Sequence, residues 1–247
     1  MRYFIELAYN GTPFHGWQRQ PNAITVQERL ENALTLLLRE KVIVTGAGRT
    51  DAGVHAKWMV AHFDSEIVSD TQRLIYKLNS FLPSEIVVYA IREVTDDAHA
   101  RFDAISRSYE YKVNLLKDPF SLQGSYYIKK DLNINSMKEA AALLLEYENF
   151  KCFSKSNSDV KTYHCNITEA CWQENRSNLV FKISANRFLR NMVRAIVGTL
   201  LEIGTSKLKV SDMKKIIESE DRSQAGYSVP AHGLYLVAIE YPEKIYR

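Results

Sequence analysis

Apolar positions recur along this chain with two periods, and the switching between them predicts its elements. Residues 3–9 (Tyr-Phe-Ile-Glu-Leu-Ala-Tyr) read as a strand rich in aromatic and β-branched residues, ended by Asn10-Gly11. Thr25 and Glu28 have capping-box spacing, and Val26, Leu30, Ala33, Leu34, Leu37 and Leu38 then recur on one helical face. Residues 42–45 and 58–63 read as strands. Ser69 and Gln72 mark a second helix, with Leu74, Ile75, Leu78, Phe81 and Leu82 as its buried face and Leu82-Pro83 as its close. Residues 86–91 return as a strand. Strand, helix, strand, strand, helix, strand is the ferredoxin-like split βαβ order, and the polar stretch 97–103 then connects to the second half.

That second half repeats the order with one extra helix. Residues 108–115 alternate, placing Tyr109, Tyr111, Val113 and Leu115 on one side. Asn135 is the expected cap of a helix that turns Met137, Ala140, Ala141, Leu144 and Leu145 inward. Residues 167–173 and 179–185 read as paired strands around a turn at 174–178. A helix is expected from Arg187, with Phe188, Met192, Val193, Ile196, Val197, Leu200 and Leu201 packed inward and Gly204 at its end. Another helix follows at 211–219, then a polar loop at 221–232 and a closing strand at 233–241. The expected fold is α+β: two ferredoxin-like, RRM-like βαββαβ halves, 1–104 and 105–247, with largely antiparallel sheets side by side and a cleft between them.

Composition narrows the class. With 46% hydrophobic and 25% charged residues in 247, the chain matches ordinary globular domains and can bury substantial cores. It has no apolar run of membrane-spanning length, and Glu6 interrupts the opening strand before a signal-peptide core could form. Cys152, Cys165 and Cys171 are odd in number and lack metal-site spacing, which points to a reducing cytoplasm. Net charge is +3, but residues 1–104 carry −2 and the remainder +5, so the second half is the candidate polyanion-facing half.

The candidate chemistry centres on Gly46-Ala47-Gly48-Arg49-Thr50-Asp51-Ala52-Gly53-Val54-His55-Ala56. Three glycines in eight residues read as a tightly folded loop. An aspartate kept ionised by a nearby cation can act as nucleophile or base; equally, Asp51 with Thr50 can cap its own turn while Arg49 packs outside. Residues 12–21 mix Phe14, Trp17 and Arg19, either as a stacking and phosphate-binding surface or with the aromatics tucked into the core. No ligand spacing links His55, His62 and His99, so no metal is expected. Arg187, Arg190 and Arg194 are spaced by three and four, as one face of a helix. Arg194 lies in the apolar stretch, where a guanidinium needs an anionic partner, for which Asp51 is the candidate. Tyr109 reads as a half-buried strand tyrosine.

Gly48-Arg49-Thr50-Asp51-Ala52-Gly53-Val54-His55-Ala56 resembles the signature of the TruA family of tRNA pseudouridine synthases. Similar segments are Gly16-Trp17-Gln18-Arg19-Gln20, His99-Ala100-Arg101-Phe102, Ser106-Arg107-Ser108-Tyr109-Glu110-Tyr111, Met192-Val193-Arg194-Ala195-Ile196-Val197-Gly198 and the closing strand. The resemblance implies an isomerase making pseudouridine in the anticodon stem-loop, at tRNA positions thirty-eight to forty, with an RNA-binding cleft between the two halves. It implies Asp51 as the catalytic residue with Arg194 as its counter-ion, and Tyr109 against the target base. Arg49, His55, Arg19, Arg101, Arg187 and Arg190 become substrate contacts, with no cofactor or metal, in a cytoplasmic homodimer. The chain departs from the family pattern at Thr162-Tyr163-His164-Cys165-Asn166, where many relatives carry an arginine. A non-catalytic RNA-binding module and a phosphoester hydrolase using Asp51 are the rival readings.

Overall fold

Strand β1, Arg2–Tyr9, runs down the middle of the first sheet and is buried along nearly its whole length. The computed structural model describes residues 1–155, 160–175 and 178–247. They divide into two compact units, Met1–Ser106 with Tyr235–Arg247, and Arg107–Leu234. Strands in both pair mostly antiparallel, with helices between them, and the fold is α+β.

The first unit follows the expected order: β1, α1 (Val26–Leu38), β2 (Thr45–Gly46), β3 (His55–Asp64), α2 (Thr71–Phe81) and β4 (Ile86–Val94). Strand β1 lies between β3 and β4, antiparallel to both. Thr25 caps α1 by accepting the Glu28 N–H, and the carbonyls of Gly16 and Trp17 accept the Val26 and Gln27 N–H groups. Helix α2 is capped by Asp70. Leu74 and Leu78 are its buried residues, whereas Phe81, expected inward, is exposed at the helix end.

The strand expected at 42–45 shrinks to β2, and the reason lies in α1. Glu31 Oε1 accepts the Val44 N–H at 3.0 Å, Gln27 Nε2 donates to the Val44 carbonyl at 2.9 Å, and Thr35 Oγ1 accepts the Val42 N–H at 3.1 Å. Helix side chains take the place of a strand ladder, satisfying the same backbone groups. Only Thr45 and Gly46 pair with β3, at His62 and Ala61.

In the second unit β5 (Ser106–Asn114) pairs antiparallel with β8 (Asn178–Ala185), which pairs with β7 (Ile167–Asn175); the short β6 (Tyr126–Tyr127) runs parallel to the end of β5. The expected turn at 174–178 includes residues 176 and 177, outside the described ones. Helix α3 (Ile134–Ala142) is capped by Asn133, which accepts the Ser136 N–H at 3.0 Å, two residues before the cap expected at Asn135. Leu144 is buried and Leu145 exposed, because the chain tightens into a 3₁₀ turn at Leu143–Glu146. Helices α4 (Met192–Gly204) and α5 (Val210–Ser219) complete the unit.

The closing strand β9 (Leu234–Glu240) joins the first unit from Tyr235 onward. It pairs in parallel with β3, His55 opposite Tyr235, and the residues after it bond to β4 and its exit: Thr95 N–H donates to Ile245 O and Arg247 N–H to Glu93 O. Tyr241 and Tyr246 pack edge-on against Phe4. Aromatic packing and these backbone bonds draw the C-terminal segment into the first unit. Among the described residues no helix is long and apolar enough to cross a membrane.

One buried histidine makes this unit's stability depend on pH. His62, on β3, accepts the Ala100 N–H at Nδ1 (3.1 Å). Burial, followed by the charges of Arg2 and His99, lowers its pKa from 6.5 to about 4. The folded chain thus binds fewer protons here than the unfolded chain. The group's contribution is complete above pH 6.5 and is lost as pH falls towards 4, on the order of 3 kcal/mol. His62→Gln, whose amide oxygen can accept the same N–H, is expected to flatten the fall of melting temperature across that interval. An unchanged slope would remove His62 as its cause.

Candidate functional site

The signature loop leaves β2 and enters β3, and its path between them is fixed by backbone contacts with residues 11–17. Ala47 N–H continues the ladder to Val60 O at 2.8 Å. The Thr50 carbonyl accepts the Trp17 N–H at 3.2 Å, and the Thr50 hydroxyl pairs with that of Tyr9 at 2.9 Å. Val54 N–H closes a turn onto Asp51 O at 3.1 Å, with Gly53 at φ +77°. Gly16, at φ +87°, lies directly against this turn, where a β-carbon would sit 2.4 Å from Thr50 O and 3.1 Å from the Asp51 carbonyl carbon. Backbone meets backbone there, and only glycine permits it.

Asp51 is half-buried in this frame, Thr50 is buried and Arg49 is exposed. His55 is buried at the start of β3. Its Nδ1 accepts the Gly11 N–H at 3.1 Å, which leaves the ring proton on Nε2, and its ring stacks on Tyr235 at 4.6 Å. Those contacts make His55 part of the wall holding the loop.

The aromatic residues of 12–21 belong to the core. Phe14 is 5% and Trp17 1% exposed, and the Trp17 indole fills the space above Gly46, where a β-carbon would meet Nε1 at 2.4 Å. Arg19 bonds the Glu31 carboxylate at 3.2 Å, with Glu28 at 3.9 Å. Arg101 is exposed, its guanidinium 5.5 Å from the Phe102 ring. Among the described residues, no three His, Cys, Asp or Glu side chains converge as metal ligands.

In the second unit Tyr109, on β5, is half-buried and meets the Phe188 ring edge-on at 5.1 Å. The helix expected from Arg187 begins at Met192, because Asn191 adopts a left-handed conformation at φ +67°. Arg187 and Arg190 therefore precede the helix and share no helical face with Arg194. The half-buried Arg194 donates from Nε to the Val229 carbonyl at 2.7 Å. Sequence reading missed the contacts that Gly11, Gly16 and Tyr9 make with the loop and its wall, and the one between Arg194 and Val229. The partners lie 34 or more residues apart in the chain, and no local pattern marks those contacts.

Chemically, the first unit offers a half-buried carboxylate on an immobilised loop beside an exposed guanidinium, and the second a half-buried tyrosine ring and a fixed arginine. The family model for tRNA pseudouridine synthases matches residues 7–103 and 140–242. The chain belongs to the tRNA pseudouridine synthase family. It is similar to tRNA pseudouridine synthase A of Bacteroides thetaiotaomicron, 54% identical over 99% of this chain and 92% of the relative. The Bacteroides fragilis protein of that name is 53% identical, over 99% and 98%. That of Acetivibrio thermocellus is 40% identical, over 95% and 97%. As a tRNA pseudouridine synthase the chain is an isomerase, turning uridine of tRNA into pseudouridine.

Two glycines of this synthase separate the loop's support from its surface. Gly16→Ala is expected to cost roughly 2 kcal/mol or more, a fall of about 4–8 °C in melting temperature, and to lower turnover by displacing Asp51. At Gly48 a β-carbon meets nothing within 4 Å, so Gly48→Ala is expected to melt with the wild type. Equal melting of Gly16→Ala and the wild type would show that the Gly16 contact does not hold the loop.

Proposed function

We propose that Asp51 is the nucleophile in isomerisation of uridine at positions thirty-eight to forty of the tRNA anticodon stem-loop. The observation that supports it most is the loop itself. Asp51 is a half-buried carboxylate on a backbone that cannot shift without displacing Gly16, so it is preorganised for a substrate brought to it. Isomerisation breaks the bond from uracil N1 to C1′, turns the base, and joins C5 to C1′. The C5 proton leaves to solvent and N1 gains one, so atoms balance with no redox partner. Attack at C1′, addition to the base, and removal of a sugar proton can each begin at this carboxylate.

The base must leave its stack to reach Asp51, at a cost of a few kcal/mol. In our reading the exposed Arg49 holds a backbone phosphate and Tyr109 stacks on the turned-out base. Arg101, Arg187 and Arg190 add phosphate contacts. His55 enters through the loop it braces, and Arg19 through whatever Glu31 leaves to it. From the sequence motif we assign Arg194 to the catalytic machinery. By likeness to the family, the enzyme works in the cytoplasm as a homodimer.

Tritium at uracil C5 of tRNA transcripts reads the reaction directly. Wild type is expected to release label. Asp51→Asn is expected to lose at least about a thousandfold in rate while binding tRNA in a filter assay as the wild type does. Release by Asp51→Asn at the wild-type rate would remove Asp51 from the chemistry. Tight binding by the wild type without release from a whole tRNA pool would favour a non-catalytic RNA-binding module instead.

A further inference from the structure

Residues 221–230 form a strap over α4, and its attachments converge on Arg194. Gly226 N–H donates to Thr199 Oγ1 at 2.9 Å, and Val229 N–H to the Arg194 carbonyl at 3.2 Å. The strap lies so close that a β-carbon at Gly226 would be 2.7 Å from Thr199 N, and one at Gly198 1.7 Å from Tyr227 O. Past Arg194, the Tyr111 hydroxyl donates to the Pro230 carbonyl at 2.8 Å. The return bond, Arg194 Nε to Val229 O, fixes the guanidinium plane. Because that group is planar and rigid, the bond also sets where both Nη groups aim.

Arg222 gives the strap its shape. Its Nη1 donates to the carbonyls of Ala225 (3.3 Å) and Gly226 (3.0 Å), and its Nη2 to Ser228 Oγ (3.1 Å). Ser228 Oγ also accepts from Asn191 Nδ2 at 2.6 Å, which ties the strap to the left-handed residue that starts α4. The charged fork reaches three residues of the strap, Ala225, Gly226 and Ser228, and ends one residue short of Val229.

We propose that Arg222 is a positioning residue for the isomerase: it holds the Val229 carbonyl in place and through it aims the Arg194 guanidinium. This rests on the role of Arg194 proposed above, so the test separates the two. Tritium release under single-turnover and steady-state conditions is measured for the full chain and for R194Q, R194K, R222A, R222K, S228A and the R194K/R222A double variant, each with its melting curve.

R222A and S228A are expected to lower kcat about tenfold with KM for tRNA within about twofold of wild type. R222K, which keeps the charge but not the fork, recovers only part of that loss. On the R194K background, where no Nε remains to be aimed, R222A is expected to cost nothing further. Wild-type kcat in R222A, or a loss that adds in full to that of R194K, overturns the positioning role and leaves Arg194 where it was. Wild-type kcat in R194Q overturns the reading beneath it. If R222A does not fold, S228A decides alone, since it removes a single strap oxygen: lowered kcat at unchanged KM supports the role, and unchanged kcat overturns it.

Discussion

The first unit is built around a contact that leaves no room for a β-carbon, the one between Gly16 and the backbone of Thr50 and Asp51. Several features depend on it. Trp17 can donate to Thr50 O only because Gly16 lets the two segments approach, and its indole then fills the space above Gly46. The carbonyls of Gly16 and Trp17 serve the first N–H groups of α1, so the helix, β2 and the signature loop share one support. Of the two readings of residues 12–21, a stacking surface or aromatics tucked into the core, the burial of Phe14 and Trp17 selects the second. Aromatics that keep some exposure, Tyr109 among them, lie elsewhere in the chain.

The second unit meets the same demand, a fixed direction for a charged side chain, by other means. There the close approaches at Gly198 and Gly226 bring the strap onto α4, and a guanidinium fork shapes it. Backbone-to-backbone contact fixes position without charge and tolerates no larger residue. Charge-assisted bonds to carbonyls fix direction and tolerate a graded loss. The difference suits the two tasks. A short carboxylate side chain such as that of Asp51 is held once its backbone is held, whereas a long arginine needs its last rotatable bonds held.

Much of this was legible in the residue pattern, and the failures have local causes. Helical spacing located α1, α2, α4 and α5 because their buried faces are apolar and regular. It missed the start of α4 because Asn191 takes a left-handed conformation that no apolar period reports. It extended β2 over 42–44 because those residues are β-like in type, while Glu31 and Gln27 satisfy their backbone from a helix. Between Asn133 and Asn135 the composition gives no preference, and geometry selects the first. Asp51 stands out through the likeness of its motif to the family signature, since its glycine-rich setting alone also fits a turn cap. The contacts of Gly16 and Arg222 do not, since they run to residues remote in sequence or to carbonyls, which every residue has.

The placement of arginines also changes what the uneven charge means. In the first unit Arg2 pairs with Asp64, Arg19 with Glu31, Arg92 with Glu6, and Arg247 with Glu93 and Asp96. Each such pair cancels at a distance of more than a few ångströms. Arg222 in the second unit bonds two carbonyls and a hydroxyl, which are neutral, so its whole charge survives in the field around the unit. An arginine can thus hold a scaffold and attract a polyanion at once, provided its partners are dipoles and not carboxylates. The +5 of residues 105–247 is in part of this kind. Replacing such a residue removes a geometric constraint and a unit of long-range attraction together. The two losses separate by salt: attraction fades as ionic strength rises, while a misdirected Arg194 stays misdirected.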